Sequence, residues 1–292
     1  MFKTGCIEKI YSVSALVGSN KCNANCPFCA AKDLRKDATT DNKMPHTFKS
    51  ALQLSARYGG WSLSLTSSGE PTCSPEAITN ALKDYQEVAN QGAYYPNVNL
   101  FTNGILLADD KFCEQYLTKW KELGLTAIAV SIHDVDEIGQ AKAYGLNNYP
   151  SFTKIFNNIR KYGLQCRATL LLRKGAIDNG NTYEKAINTL INYGVKNITS
   201  WCIGNPDATY NEFSPSLLGR LSIRLWLKKN TILCHGHIWG GAVYDYNGTL
   251  IRLTDYVTKH DHKKDFIRQL VVFQDGMVAY SWIKEGAICI MP

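Results

Sequence analysis

One unit recurs through the middle of this 292-residue chain: an apolar stripe at helical spacing, a glycine, then a β-rich run. Phe112, Tyr116, Leu117, Trp120 and Leu123 form one stripe, followed by Gly124 and the run 125–132. Phe152, Ile155, Phe156, Ile159 and Tyr162 form the next, followed by Gly163 and 164–172. Tyr183, Ala186, Ile187, Leu190 and Ile191 form a third, followed by Gly194 and 195–203. Spacing of i, i+3, i+4, i+7 buries one helix face. A glycine just past the helix takes the left-handed conformation without a Cβ clash. The β runs read as nearly continuous in apolar residues, which predicts strands covered on both faces.

Two units precede these. A helix over 48–58 ends at Gly59-Gly60 before a strand at 61–65. Ser74-Pro75-Glu76 reads as a helix start with a capping hydroxyl, and a strand follows at 98–101. With 10–17, six strands alternate with helices. That order predicts an α/β fold with a parallel sheet and right-handed crossovers. Six units fall short of a closed eight-unit barrel, so the expectation is a partial (β/α)6 barrel over residues 1–212. Residues 213–292 read as a helix and a small β-rich C-terminal extension, with turns at Asp245-Tyr246-Asn247-Gly248 and Asp275-Gly276. Two readings of the extension stand: a cap over the open barrel mouth, or a packing extension with no role toward substrate.

The loop after the first strand carries Cys22, Cys26 and Cys29 in a Cys-x3-Cys-x2-Cys run, with no fourth cysteine or histidine close behind. Three thiolates can hold three corners of a cubane 4Fe-4S cluster, whereas an electron-carrying cluster normally takes four. The fourth iron then stays open, as in catalytic metal sites. A zinc site, or three unrelated buried cysteines, is the alternative. The other seven of the ten cysteines (Cys6, Cys73, Cys113, Cys166, Cys202, Cys234 and Cys289) are scattered and read mostly as small buried hydrophobes. No apolar run of about eighteen residues and no secretory signal is visible, so no membrane span and a cytoplasmic location are expected. The formal charge of +7 is a mild basic excess, compatible with an anionic substrate.

Ligands of such folds sit beyond the carboxyl ends of the strands. There the sequence places Ser68-Gly69-Glu70-Pro71 after strand two and Thr102-Asn103-Gly104 after strand three. Ser131 and His133 close strand four, Arg167 lies on strand five, and Ile203-Gly204-Asn205-Pro206 end strand six.

These residues resemble the radical S-adenosylmethionine (radical SAM) superfamily. The cysteine run matches its Cys-x3-Cys-x-aromatic-Cys, with Phe28 as the aromatic. Gly69-Glu70-Pro71 resembles its second motif, with Ser68 where a further glycine is common. The resemblance covers roughly residues 10–206 and implies an oxygen-sensitive enzyme using a 4Fe-4S cluster and SAM. An electron from the reduced cluster would cleave SAM to methionine and a 5′-deoxyadenosyl radical, which takes hydrogen from a substrate. It implies Glu70 at the SAM ammonium, and Asn103, Ser131 and His133 at the ribose or methionine moiety. Arg167 would pair with the SAM carboxylate, and Phe28 and Ile203 would face the adenine. A one-electron donor such as a flavodoxin or ferredoxin would serve as partner.

The substrate is less constrained. A small or nucleotide-like molecule is preferred, because no peptide-recognition region precedes the core. A peptide-modifying epimerase or maturase is the second reading, and a non-catalytic iron–sulfur or zinc protein binding nucleic acid a third. Cys202, Cys234 and Cys289 are candidate hydrogen-atom donors. His235 and His237 alternate on one strand face, and Tyr244, Tyr246, Arg252, Asp255, Tyr256 and Arg268 put polar and aromatic groups in the tail.

Overall fold

The computed structural model describes residues 7–31, 34, 42–205, 209–237, 240–254 and 265–292. Cys6, Pro206, Asp255 and Tyr256 lie outside them. The chain opens with β1 (Lys9–Ile10) and β2 (Ser12–Leu16), then α1 (Thr47–Arg57) and β3 (Ser62–Thr66). Next come α2 (Pro75–Asn90), β4 (Asn97–Thr102), α3 (Asp110–Glu122) and β5 (Ala127–Ile132). After these run α4 (Glu137–Tyr144), α5 (Phe152–Lys161), β6 (Gln165–Leu172), α6 (Gly180–Asn192) and β7 (Asn197–Cys202). The tail holds α7 (Leu217–Asn230), β8 (Ile232–Gly236), β9 (Ala242–Tyr246) and β10 (Thr249–Leu253). It ends with β11 (Phe266–Ile267), β12 (Leu270–Val272), β13 (Val278–Ala279) and β14 (Ile288–Ile290).

The repeating unit folds as its sequence predicts. Gly124, Gly163 and Gly194 follow their helices at φ 101°, 69° and 80°. Strands β2 through β7 pair in chain order, all parallel. The tail does more than expected. Its β10 adds parallel to β7, and its β12 adds parallel to β2 on the opposite flank. Antiparallel β9–β8 and β13–β14 complete one 12-stranded sheet that remains open. The β9–β10 turn is a two-residue hairpin loop, with Asn247 at φ 51° and Gly248 at φ 81°, the hand such loops need.

The two sheet faces differ in chemistry, contrary to the reading of strands apolar on both sides. Val13, Ala15, Leu63, Leu65, Val98, Leu100, Ile128 and Val130 point to the helices and are fully buried. The alternate positions line the concave face: Ser12 and Ser14 on β2, Ser62 and Ser64 on β3, Asn97 and Asn99 on β4. β6 contributes Gln165, Arg167 and Thr169, and β7 contributes Asn197 and Thr199. A closed barrel fills its interior with layers of branched apolar side chains. Here serine, threonine, asparagine and arginine leave a polar lumen.

Ser74 also departs from expectation. Pro75 and Glu76 do open α2, but the Ser74 hydroxyl makes no capping bond to that helix. It accepts from the Ser19 amide at 3.3 Å and meets the Ser19 hydroxyl at 3.2 Å, fixing the chain on its way to the cysteine loop.

Candidate active site at the carboxyl edge of the sheet

The cysteine loop follows β2 and is tied down at alternate residues. The Lys21 carbonyl accepts from the Glu70 amide at 2.8 Å. The Asn23 side-chain oxygen accepts from Asn103 Nδ2 at 2.7 Å. The Asn25 amide donates to the Tyr144 carbonyl at 2.7 Å. These anchors stand beyond β3, beyond β4 and at the end of α4, so the loop spans the edge of the sheet. Gly69 permits the first of these approaches, because a Cβ there would run into the Lys21 carbonyl oxygen.

Glu70 is 3% exposed, and its carboxylate gathers four donors. Oε1 accepts from the Thr72 amide at 3.0 Å, the Thr72 hydroxyl at 2.6 Å and the Thr102 hydroxyl at 2.6 Å. Oε2 accepts from the Asn103 amide at 2.7 Å. Burial raises the Glu70 pKa, and these four bonds oppose the rise. The group therefore acts inside the protein first, joining the loops after β3 and β4.

Asn103 is buried. Its side-chain oxygen accepts from the Ile105 amide, and its carbonyl accepts from the Tyr149 hydroxyl at 2.6 Å. The Ser131 carbonyl accepts from Gln140 Nε2 at 2.8 Å and from the Tyr144 hydroxyl at 2.9 Å. His133 packs between Phe28 of the cysteine loop, with ring centroids 4.8 Å apart, and Tyr144, at 5.1 Å. Ile203 is buried at the end of β7, its carbonyl accepting from Ser214 at 2.6 Å. Phe28, Gly69, Glu70, Asn103, Ser131, His133 and Ile203 thus share one edge with the cysteines.

Arg167 does not. It is the third residue of an eight-residue strand, roughly 16 Å of extended chain below Leu172, and its Nη1 donates to Asn99 at 2.6 Å inside the lumen. The guanidinium at the edge belongs to Arg173, the first residue past β6, which sits 5.7 Å from the Phe28 ring centroid. The strand-end rule that selected the other residues pointed to Arg173 as well. Cys73, which the sequence reads as a small buried hydrophobe, also stands beside the cysteine loop. The Asn23 amide bonds to its thiol, and burial, with Glu70 and Cys22 nearby, pushes that thiol up to about 11.

The other cysteines are far apart. Cys202 shares the helix-facing side of β7 with Ser200, whose hydroxyl meets Tyr183 of α6. Cys234 on β8 and Cys289 on β14 occupy opposite outer strands of the sheet. His235 and His237 do face each other, with ring centroids 5.0 Å apart. Among the described residues, no three His, Cys, Asp or Glu side chains already stand at metal-holding separation, the loop cysteines included.

The edge nevertheless fits a thiolate-held cluster with a polar ligand beside it. Its donor set is three reduced cysteines on one loop, Cys22 exposed and Cys26 and Cys29 half-buried. Three buried nitrogens around that loop, Asn23 Nδ2, His133 Nδ1 and Arg173 Nε, have no hydrogen-bond partner. Buried polar atoms are almost always bonded, so three orphans at one edge mark a place where ligand atoms belong.

The comparisons with known proteins agree with this geometry. Residues 16–186 match the model of the Radical SAM superfamily, more than half of the chain. The chain belongs to that superfamily and is an enzyme of the radical SAM class, whose cofactors are a 4Fe-4S cluster and SAM. It is 25% identical over 181 residues to the 7,8-dihydro-6-hydroxymethylpterin dimethyltransferase of Methanocaldococcus jannaschii, covering 62% of this chain and 33% of that protein. The chain therefore spans about a third of the length of that curated relative. Its fold is similar to Streptococcus suis SuiB bound to S-adenosylmethionine, with TM-score 0.62, 13% identity, and 96% of this chain and 62% of that one covered. It is also similar to anSMEcpe with bound AdoMet, with TM-score 0.61, 15% identity, and 96% and 76% covered. Class membership sets aside the non-catalytic reading. Among the described residues, no helix is long and apolar enough to cross a membrane.

Two outcomes are expected from this geometry. Gly69→Ala forces the Glu70 and Lys21 backbones apart, so reconstituted protein should hold clearly less iron than wild type while circular dichroism stays unchanged. His133 has its pKa pushed down to about 3, by burial first and the Arg173 charge second. The unfolded chain, titrating near 6.5, then binds a proton that the native state refuses. The stability tied to His133 is full above pH 6.5 and is lost as pH falls toward 3, up to about 5 kcal/mol over that window. Thermal melts from pH 7 to pH 4 should show a steep loss for wild type and a shallower one for His133→Gln.

Proposed function

We propose that Cys22, Cys26 and Cys29 hold the 4Fe-4S cluster and that SAM binds across the same edge, so that a radical is generated above the polar lumen. The observation carrying this reading is the loop itself: three thiols anchored through Lys21, Asn23 and Asn25, ringed by orphaned nitrogens of Asn23, His133 and Arg173. Bound there, the cluster supplies one electron that cleaves SAM to methionine and a 5′-deoxyadenosyl radical.

The protein's own residues orient and enclose the ligand. The Arg173 guanidinium forks onto the SAM carboxylate, a geometry that suits a planar cation with parallel donors. Asn23 Nδ2 and His133 Nδ1 meet its remaining polar atoms. With a pKa of about 3, His133 is neutral at neutral pH and can accept as well as donate. Phe28, packed on His133 and on Phe213 at 5.5 Å, gives the adenine an apolar wall with Ile203. Glu70 positions the Asn103 loop and keeps one oxygen, with a single internal donor, toward the SAM ammonium. A flavodoxin- or ferredoxin-like protein delivers the electron.

The substrate is read as a small molecule. The lumen beneath the edge is lined by short hydroxyl and amide side chains suited to a polar molecule of modest size. The curated relative is named for a pterin substrate, which accords with that scale. The peptide-modifying reading rests only on fold likeness to enzymes such as SuiB. Cys202, Cys234 and Cys289 have no part in the proposal: Cys202 lies on the helix-facing side of β7, and Cys234 and Cys289 lie on the outer strands β8 and β14.

Anaerobically reconstituted protein, given SAM and a strong reductant, should form 5′-deoxyadenosine and methionine. Cys26→Ala should lose both that product and the cluster's visible absorbance. Undiminished cleavage in a variant lacking all three cysteines would overturn the assignment.

A further inference from the structure

The cysteine loop has neighbours on two sides, and their charges differ. On the α4 side the chain after His133 carries Asp134, Asp136 and Glu137, with Asp136 exposed. On the other side Phe28 packs on Phe213, whose carbonyl accepts from the Lys174 amide at 2.8 Å. Lys174 is exposed, and α7 starts shortly after Phe213. That helix carries Arg220, Arg224, Lys228 and Lys229 and no carboxylate. Within the described stretch 209–230, Glu212 is the single acid.

α7 buries one side and exposes the other. Gly219, Ile223, Trp226 and Leu227 are buried, Trp226 against Tyr183 of α6 and Tyr246 of β9. Leu217, Leu218, Leu221 and Leu225 are between 47% and 79% exposed. At roughly 100° per residue, Leu217, Leu221, Arg224, Leu225 and Lys228 share about a third of the helix circumference. A surface helix ordinarily turns its leucines inward. Exposed leucines interleaved with cations instead make an apolar patch with a basic border, the mark of an interaction site. The patch is not flat, because a cavity of about 310 Å3 opens beside it, with Tyr210, Leu217, Arg220 and Leu221 in its lining.

Two observations choose the partner. A second copy of this chain would bring the same cations against one another, which is penalised, whereas an acidic surface complements them. The patch also begins beside the cysteine loop, where an electron has to enter: Phe213, just ahead of α7, stands 5.5 Å from the ring of Phe28, and Phe28 lies between Cys26 and Cys29. We propose that the exposed side of α7 is the docking surface for the one-electron donor, and that this donor is a small carrier protein with an acidic surface. The leucines form a dry centre and the cations steer the approach, which suits a brief redox encounter of less than about 1,200 Å2. The donor's fully reduced flavin gives up one electron, the cluster takes it, and the donor leaves oxidised by one electron. The acidic α4 side repels the same partner. The inference rests on the proposed function for the electron's destination, but docking is measurable without turnover.

The test uses the full chain, reconstituted, with an acidic flavodoxin as the probe. Biolayer interferometry should show saturable binding that weakens as sodium chloride rises from about 50 to about 300 mM. Leu221→Glu should weaken it at least about tenfold and Lys228→Glu about threefold, while Ile138→Glu, exposed on α4, leaves it unchanged. With dithionite as reductant, all three variants should form 5′-deoxyadenosine at the wild-type rate. With subsaturating flavodoxin reduced by NADPH and its reductase, Leu221→Glu should form it at most about a tenth as fast. No flavodoxin binding, or equal binding by wild type and Leu221→Glu, overturns the inference. So does a dimer, or cosedimentation with phosphatidylserine vesicles, that Leu221→Glu abolishes. Dithionite-driven product without docking removes this inference alone, and docking without dithionite-driven product removes the proposed function alone.

Discussion

The Glu70 carboxylate is the contact on which the site depends. A carboxylate has about four acceptor positions, and this one uses four donors from Thr72, Thr102 and Asn103. Its own amide reaches the Lys21 carbonyl at the start of the cysteine loop. One buried residue, through its carboxylate and its amide, thus links three successive βα loops. Removing one partner of such a set costs about 1–3 kcal/mol for each donor left unsatisfied, which exceeds a typical surface interaction. The consequence is positional: Asn103, Asn23 and the start of the cysteine loop are tied to one buried residue.

The second constraint is the division of the sheet into two faces. Apolar residues pointing outward seat the helices, and hydroxyls and amides pointing inward leave room for a molecule. The proposed placement of SAM at the edge and substrate in the lumen suits that division, because the strands wall a polar space beneath the edge. The C-terminal strands complete the chamber. β10 and β12 extend the parallel sheet on both flanks, and Arg252 of β10 shares the lumen face with Thr199 of β7.

Much of this was legible in the sequence, for local reasons. The helix stripes and their closing glycines repeat often enough to give the α/β order, and the strand-end rule collects Phe28, Glu70, Asn103 and His133 from loops far apart in the chain. What escaped was non-local or at the resolution of a single residue. Ser-Val-Ser-Ala-Leu and Ser-Leu-Ser-Leu-Thr alternate in polarity, but serine is small enough that both read as apolar runs. Nothing local in Leu250-Ile251-Arg252 says that it pairs parallel with β7, some fifty residues earlier. Arg167 lies within β6 and Arg173 just past its end, and only the exact end of the strand separates the lumen from the edge. Ser74 has the pattern of a helix cap and spends its hydroxyl on Ser19 instead.

The central claim is that the three-cysteine loop holds a cluster with one iron open to SAM. Electron paramagnetic resonance of the reduced, reconstituted protein tests it most directly, recorded before and after SAM is added. Direct coordination predicts a marked change in the g-values of the cluster signal with SAM, and its loss in Cys26→Ala. A cluster signal that SAM leaves unaltered at saturating concentration would contradict the account.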